Sequence, residues 1–254
     1  MSKNLFSQST PVVNEAGSTA LPKGYRPIRT FVLRQARMTN LQHDAYKRLM
    51  PQYGIDSRTH SWQATGFSSN SPLVLEIGFG MGHATAAIGK ANPHIQYLGI
   101  EVHSPGVGAL LARIEEGALD NIRIIQHDAI EVLKEFIPPG VLSGVHLFFP
   151  DPWPKKKHHK RRMYQPWFLD LVYRSLKDGG YVYSVTDWED YGEQMLEVAN
   201  EHPGFTNPHG GYSPPISWRP KTAFEHKGLK KDHQIREIFI IKKPLQGESL
   251  QRPE

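Results

Sequence analysis

Short apolar runs alternate with helical stretches along most of this chain. Leu73-Val74-Leu75-Glu76-Ile77 is a strand-length run that enters a glycine-rich turn. Ile95 to Glu101, Ile122 to Ile125, Val145 to Phe149 and Tyr181 to Val185 are further runs rich in β-branched and aromatic residues, each of the length expected for a buried strand. Between them, His83 to Ala91 predicts a helix. A second helix is capped by Ser104, and its Val107, Leu110, Leu111 and Ile114 recur at helical spacing as core positions. Met163 to Leu176 predicts an amphipathic helix stopped by Lys177-Asp178-Gly179-Gly180. Glu189 to Glu201 predicts another, and the alternating Ile235 to Ile241 predicts a last strand. Strand and helix in regular succession predict an α/β fold, with a parallel sheet covered by helices on both faces.

The flanks differ in character. Residues 1–24 mix Ser, Asn, Thr, Gly and Pro and predict a flexible tail. Residues 25–71 form a basic extension, in which Arg26, Arg29, Arg34 and Arg37 are interleaved with Ile28, Phe31, Val32 and Leu33. That pattern suits either a segment lying on nucleic-acid phosphate or a strand with a solvated face. Asn40 is the expected N-cap of a helix ended by Pro51, and residues 52–71 are polar and turn-rich. A proline-rich loop spans residues 203–221, and residues 244–254 predict a frayed end. The expected organisation is a single domain over residues 25–243 between two short tails, with no internal repeat.

Composition narrows the chemistry. The chain has 254 residues and no cysteine, which excludes disulfides and thiolate catalysis and leaves any zinc site to His and carboxylates alone; no metal-ligating residues are singled out. No apolar run approaches the roughly 20 residues of a membrane span, and no secretory signal is expected; a cytoplasmic location follows as the expectation. The net charge of +5 leans toward a polyanionic partner.

The glycine turn Gly78-Phe79-Gly80-Met81-Gly82 brings bare backbone and a helix N-terminus up to a ligand. Its G-x-G-x-G spacing differs from the dinucleotide fingerprint. Glu76, two residues before the first glycine, would repel a pyrophosphate and attract an amino group such as the methionyl ammonium of S-adenosylmethionine. Glu101 closes the second strand about 20 residues beyond Gly82, the spacing at which nucleotide-binding units place a carboxylate for ribose hydroxyls. Asp128 follows the third strand, where it either accepts from an adenine amino group or caps the next helix.

The fourth strand runs into Phe149-Pro150-Asp151-Pro152-Trp153-Pro154, whose prolines end the strand and hold Asp151 at the carboxyl edge of the sheet, where open α/β folds bind ligands. Lys155 to Arg162 then carries six Lys or Arg side chains. Such a run is either a solvated face or a phosphate-binding surface, and this one abuts the predicted active edge. The fifth strand also closes on an acid, Asp187.

Taken together, Glu76 to Gly82, Gly99-Ile100-Glu101-Val102-His103, His127-Asp128-Ala129, Phe149 to Lys155 and Lys160-Arg161-Arg162 resemble the bacterial tRNA (guanine-N7)-methyltransferases, class I S-adenosylmethionine enzymes. Thr186-Asp187-Trp188 and Thr222-Ala223-Phe224-Glu225 extend the resemblance, which covers roughly residues 29–242. The resemblance implies a Rossmann-like, mostly parallel seven-stranded sheet with an antiparallel last strand. It implies that Glu76, Gly78, Gly80, Gly82, Glu101, Asp128 and Asp151 hold S-adenosylmethionine, with Asp151 also facing the reacting base as the catalytic residue. Lys155, Asp187, Thr222, Ala223, Phe224 and Glu225 would hold the substrate. Lys157, His158, His159, Lys160, Arg161 and Arg162 would meet the RNA backbone. The implied target is a guanine in the tRNA variable region, with no obligatory protein partner, in a monomer or homodimer. The main alternative is a methyltransferase of the same fold acting on another RNA or on a protein.

Overall fold

The computed structural model describes residues 30–31, 37–220, 225 and 234–244. Seven strands form one sheet: β1 (Leu73–Ile77), β2 (Gln96–Ile100), β3 (Ile122–Ile125), β4 (Leu142–Phe148), β5 (Leu176–Thr186), β6 (Phe205–Thr206) and β7 (Arg236–Lys242). Their spatial order is β3-β2-β1-β4-β5-β7-β6. The first five are parallel, and β7 runs antiparallel to both β5 and β6. The order reverses between β1 and β4, so the chain leaves these neighbours in opposite directions and opens a crevice at their carboxyl ends.

Helices α1 (Asn40–Tyr53), α2 (His83–Ala91) and α3 (Ser104–Glu116) cover one face. The other face carries α4 (Ala129–Glu131), which continues as a π turn over Val132–Phe136, together with α5 (Pro166–Ser175) and α6 (Glu189–Glu201). Burial follows the periodicity of the sequence: Val107, Leu110, Leu111 and Ile114 of α3 are fully buried. Two glycines let this helix sit close. A Cβ at Gly106 would run into the Gly80 carbonyl oxygen, and one at Gly108 would run into that of Gln42. The first contact seats α3 beneath the glycine turn, and the second seats α1 on α3.

Four local expectations are corrected. Thr39, not Asn40, caps α1, through a capping box with Gln42. Pro51 stays inside α1. It lies in the final turn, which the Gly54 amide closes by donating to the Met50 carbonyl at 2.8 Å. Ser104 does not cap α3; His103 holds that position without a side-chain bond, and the Ser104 hydroxyl accepts from Gln126 Nε2 at 2.9 Å. Lys177 to Gly180 is not a helix stop. Leu176 already pairs with Leu142, and pairing resumes at Gly144 with Tyr181, so these four residues bulge out of β5 with Gly179 at φ 74°. A glycine-bearing turn signals a helix end and a bulge equally well. The tails at residues 1–24 and 245–254 lie outside the described residues.

Candidate active site

At the end of β1 the chain adopts left-handed backbone at Gly78, Gly80 and Gly82, with φ of 71°, 56° and 70°. The three positions serve different ends. A Cβ on Gly78 or Gly80 would meet nothing within 4 Å, whereas one on Gly82 would strike Leu110 at 2.6 Å. Gly78 and Gly80 thus keep the turn open to a ligand, and Gly82 lets α2 dock on α3. Phe79 points inward between them, over Gly99. The turn is pinned from β2: the Gly78 amide donates to the Ile100 carbonyl at 2.8 Å, and the Gly80 amide to Glu101 Oε2 at 2.9 Å. Glu101 Oε1 accepts from the amides of Val102 at 2.7 Å and His103 at 3.1 Å. Glu101 therefore shapes the turn as well as the wall beside it.

These elements enclose a cavity of about 350 Å³, whose walls include Glu76, Gly78, Gly80, Glu101, His103, His127, Phe148, Phe149 and Asp151. Glu76 is 3% exposed, and its Oε2 has no hydrogen-bond partner among the described residues. Burial pushes its pKa up from 4.5 to about 7; the neighbouring Thr85 hydroxyl moderates the rise, and the charge of Glu101 adds to it. A buried carboxylate with one oxygen left without a partner, beside an open glycine turn, is suited to an incoming cationic amine. At the mouth, Arg113 Nε donates to the Met81 carbonyl at 3.3 Å, and its Nη2 lies 2.7 Å from His83 Nε2. Partial burial and that guanidinium lower the pKa of His83.

Asp128 has the capping geometry that was one of its two expected roles: its Oδ1 accepts from the Ile130 amide at 2.9 Å. The cavity wall here is made by His127 and Ala129, on either side of it.

The opposite rim is the Phe149 to Pro154 turn. Phe149 and Trp153 both take positive φ, 52° and 45°, although neither is glycine. The Phe149 amide donates to the Val185 carbonyl at 2.8 Å, and Asp151 stands exposed on the cavity rim. Trp153 Nε1 donates to the Thr30 carbonyl at 3.1 Å. The Arg161 guanidinium lies 3.9 Å above the Trp153 ring, and its Nη2 donates to the Phe31 carbonyl at 3.2 Å. Thr30 and Phe31 are thereby laid onto the cavity wall, a contribution that the sequence pattern did not reveal.

The basic run is less uniform than its sequence. Lys155, Lys156, Lys157 and Lys160 are exposed, three of them in a 3-10 turn over Lys156–Arg161. His158 lies edge-on to Trp153 at 5.9 Å, and His159 Nε2 lies 3.5 Å from Asp190 Oδ2. Arg162 departs from the expected RNA-facing position, since it is 1% exposed. Its guanidinium donates to the Pro152 carbonyl at 2.9 Å, Gln194 Oε1 at 2.7 Å and Asp190 Oδ2 at 2.7 Å. The apolar Met163 and Tyr164 that follow it mark where the chain turns inward.

Asp187 is half-buried just past β5. Thr222, Ala223 and Phe224 lie outside the described residues. Glu225 is 6% exposed and does not line the cavity. Its carboxylate receives Arg219 Nη1 at 2.6 Å, Arg219 Nη2 reaches Glu237 Oε1 at 2.7 Å, and Arg219 Nε reaches the Tyr183 hydroxyl at 2.8 Å. Tyr183 in turn donates to Glu237. This buried cluster joins Glu225 to β5 and β7.

Among known sequences, residues 70–238 match a family model described as "Putative methyltransferase". A tRNA (guanine-N(7)-)-methyltransferase of Nitrosospira multiformis is 51% identical over 86% of this chain and 96% of its own. Counterparts from Acidovorax sp. strain JS42 and Bordetella pertussis are 45% and 47% identical, over 96% and 85% of this chain and 100% and 86% of theirs. With a seven-stranded sheet, a glycine-turn cavity and these relatives in agreement, the chain belongs to the tRNA (guanine-N7)-methyltransferase family.

Proposed function

We propose that this protein transfers the methyl group of S-adenosylmethionine to N7 of a guanine in the variable region of tRNA. The observation that carries the reading is the buried Glu76 carboxylate, with its unpartnered oxygen, on the wall of a cavity that the open faces of Gly78 and Gly80 also line. The methionyl ammonium of the donor fits that carboxylate, and the ribose hydroxyls fit Glu101. The adenine edge is assigned to the segment around Asp128.

When bound, S-adenosylmethionine supplies a methyl group on a positively charged sulfur. Guanine N7 carries a free lone pair, so the new C–N bond forms as the C–S bond breaks, the bonding pair stays on sulfur, and no proton has to leave. The protein therefore needs no general base, and its main contribution is alignment. Positive charge moves toward the base during transfer. Asp151 on the rim, with Asp187 and Lys155 nearby along the same edge, is assigned to hold the guanine and stabilise that charge. The exposed lysines Lys156, Lys157 and Lys160 face outward beside the rim and suit the RNA backbone, which is recognised through shape and phosphate rather than base sequence.

Incubation of the purified protein with unmodified tRNA and S-adenosylmethionine, followed by mapping of N7-methylguanosine, tests the reading. A single new N7-methylguanosine in the variable region is expected, and methylation elsewhere or none overturns it.

A further inference from the structure

Asp151 sits in a turn that cannot hold itself. At Phe149 and Trp153 the backbone enters the left-handed region, which side-chain-bearing residues keep only when their surroundings enforce it. One end is fastened through the Phe149 amide to the Val185 carbonyl of β5. The middle of the turn is fastened by Arg162 Nε, donating to the Pro152 carbonyl, one residue past Asp151. The same guanidinium grips α6 through Asp190 and Gln194 and lies 4.8 Å over the Tyr191 ring. Because α6 follows directly from β5, both fastenings belong to one rigid unit. A side chain 1% exposed is out of reach of any phosphate, although the carboxylate it pairs with is 57% exposed.

We propose that Arg162 is a positioning residue for methyl transfer, whose buried guanidinium bolts the strained turn carrying Asp151 to α6. This rests on the methyltransferase reading above. The two consecutive arginines then have opposite assignments: Arg161 stacks on Trp153 from outside, and Arg162 holds Pro152 from within.

The test is Arg162→Lys, which keeps a cation near Asp190 but loses the planar fork that spans three acceptors. Single-turnover methyl transfer, KM for tRNA, the salt dependence of tRNA binding and thermal melting are measured together. The expected result is a fall in kcat of roughly tenfold to a hundredfold, with KM and salt slope unchanged. A salt slope reduced by about 0.7 to 0.9 with a raised KM would instead make Arg162 a phosphate contact and overturn the proposal. A lowered melting temperature with unchanged kcat per folded molecule would also overturn it. If Arg162→Lys does not fold, Asp190→Asn loosens the same guanidinium from an exposed position, and an unchanged kcat there is equally fatal. A parent protein inactive on tRNA refutes the methyltransferase reading, whereas an active parent with an equally active variant refutes only the role of Arg162.

Discussion

Glu76 and His146 are direct partners across the β1–β4 pair, and both are buried, yet they do not form an ion pair. Burial raises Glu76 to about 7 and lowers His146 to about 3, so near pH 6 both are neutral. The His146 ring is instead packed in a stack, with Phe148 at 5.0 Å and Trp218 at 5.3 Å, and its Nε2 meets the Tyr181 hydroxyl at 2.9 Å.

The two shifts act oppositely on stability. The contribution of Glu76 is fully present below its ordinary 4.5 and is lost as pH rises to about 7. That of His146 is present above its ordinary 6.5 and is lost as pH falls toward 3. Glu76→Gln should therefore stabilise the ligand-free protein at pH 8 by up to roughly 3 kcal/mol while leaving it nearly neutral at pH 4. Urea unfolding at both pH values measures this.

Ligand binding isolates Glu76 from His146. An ammonium ligand requires the carboxylate, so affinity for S-adenosylhomocysteine should rise with pH through about 7 and then level off. Methylthioadenosine lacks the amino-acid moiety and should show no such rise, and neither ligand should show it with Glu76→Gln. Calorimetric titration from pH 5.5 to 8.5 reads the difference; a parallel rise for both ligands in the parent would remove Glu76 from the amine's site.

Gly106 supports the glycine turn from below. Gly106→Ala forces a methyl group against the Gly80 carbonyl, an overpacking expected to cost about 1–3 kcal/mol. Because the displaced atom belongs to the cavity wall, affinity for S-adenosylhomocysteine should fall together with the melting temperature. Gly140→Ala, where a Cβ meets open space at φ 67°, should lower stability alone.

Much of this site is legible in the sequence, and the limits have physical causes. Glu76 and Glu101 stand out because buried parallel strands are nearly continuous apolar runs, so an acid at the carboxyl end is conspicuous. Pro150 and Pro152 announce the strained turn for a similar local reason. Arg162 is not legible in this way, because a run of cations does not state which of them turns inward. Arg219, Glu225 and Glu237 neutralise one another only after loop and strand have met, and no local pattern marks that meeting. Thr30 and Phe31 are placed by bonds to Trp153 and Arg161, more than a hundred residues away.

Removing the inward residue from the basic run sharpens the salt test. Neutralising Lys156, Lys157 and Lys160 should reduce the slope of log K against log salt by roughly 2 to 3 if each meets a phosphate. The melting temperature should hardly change, since all three side chains are exposed. An unchanged slope would return them to an ordinary solvated surface.

Arg219 compensates two buried carboxylates. Arg219→Met should destabilise the protein by about 3–5 kcal/mol, because Glu225 and Glu237 lose their shared counter-charge. Replacing both acids by glutamine in the Arg219→Met background should recover most of that loss, because no buried charge is then left uncompensated. Urea unfolding of the single and triple variants measures this, and an equal loss in both would show that packing, not charge, makes this residue necessary.

The borders of the sheet have a consequence for association. At β3 the chain leaving α1 already occupies the outer edge, with Gly54 bridged to Ile124 and the Ile55 amide donating to its carbonyl at 2.8 Å. At the far side β6 is two residues long. Open strand edges are the templates on which chains join edge to edge and aggregate; β6 shields only Ile241 and Lys242 of β7, and along the rest of β7 the Ser213 amide donates to the Glu237 carbonyl at 2.8 Å. The two borders are therefore unequal: the β3 side is met by the chain leaving α1, and any edge-to-edge joining of this fold is left to the β7 side.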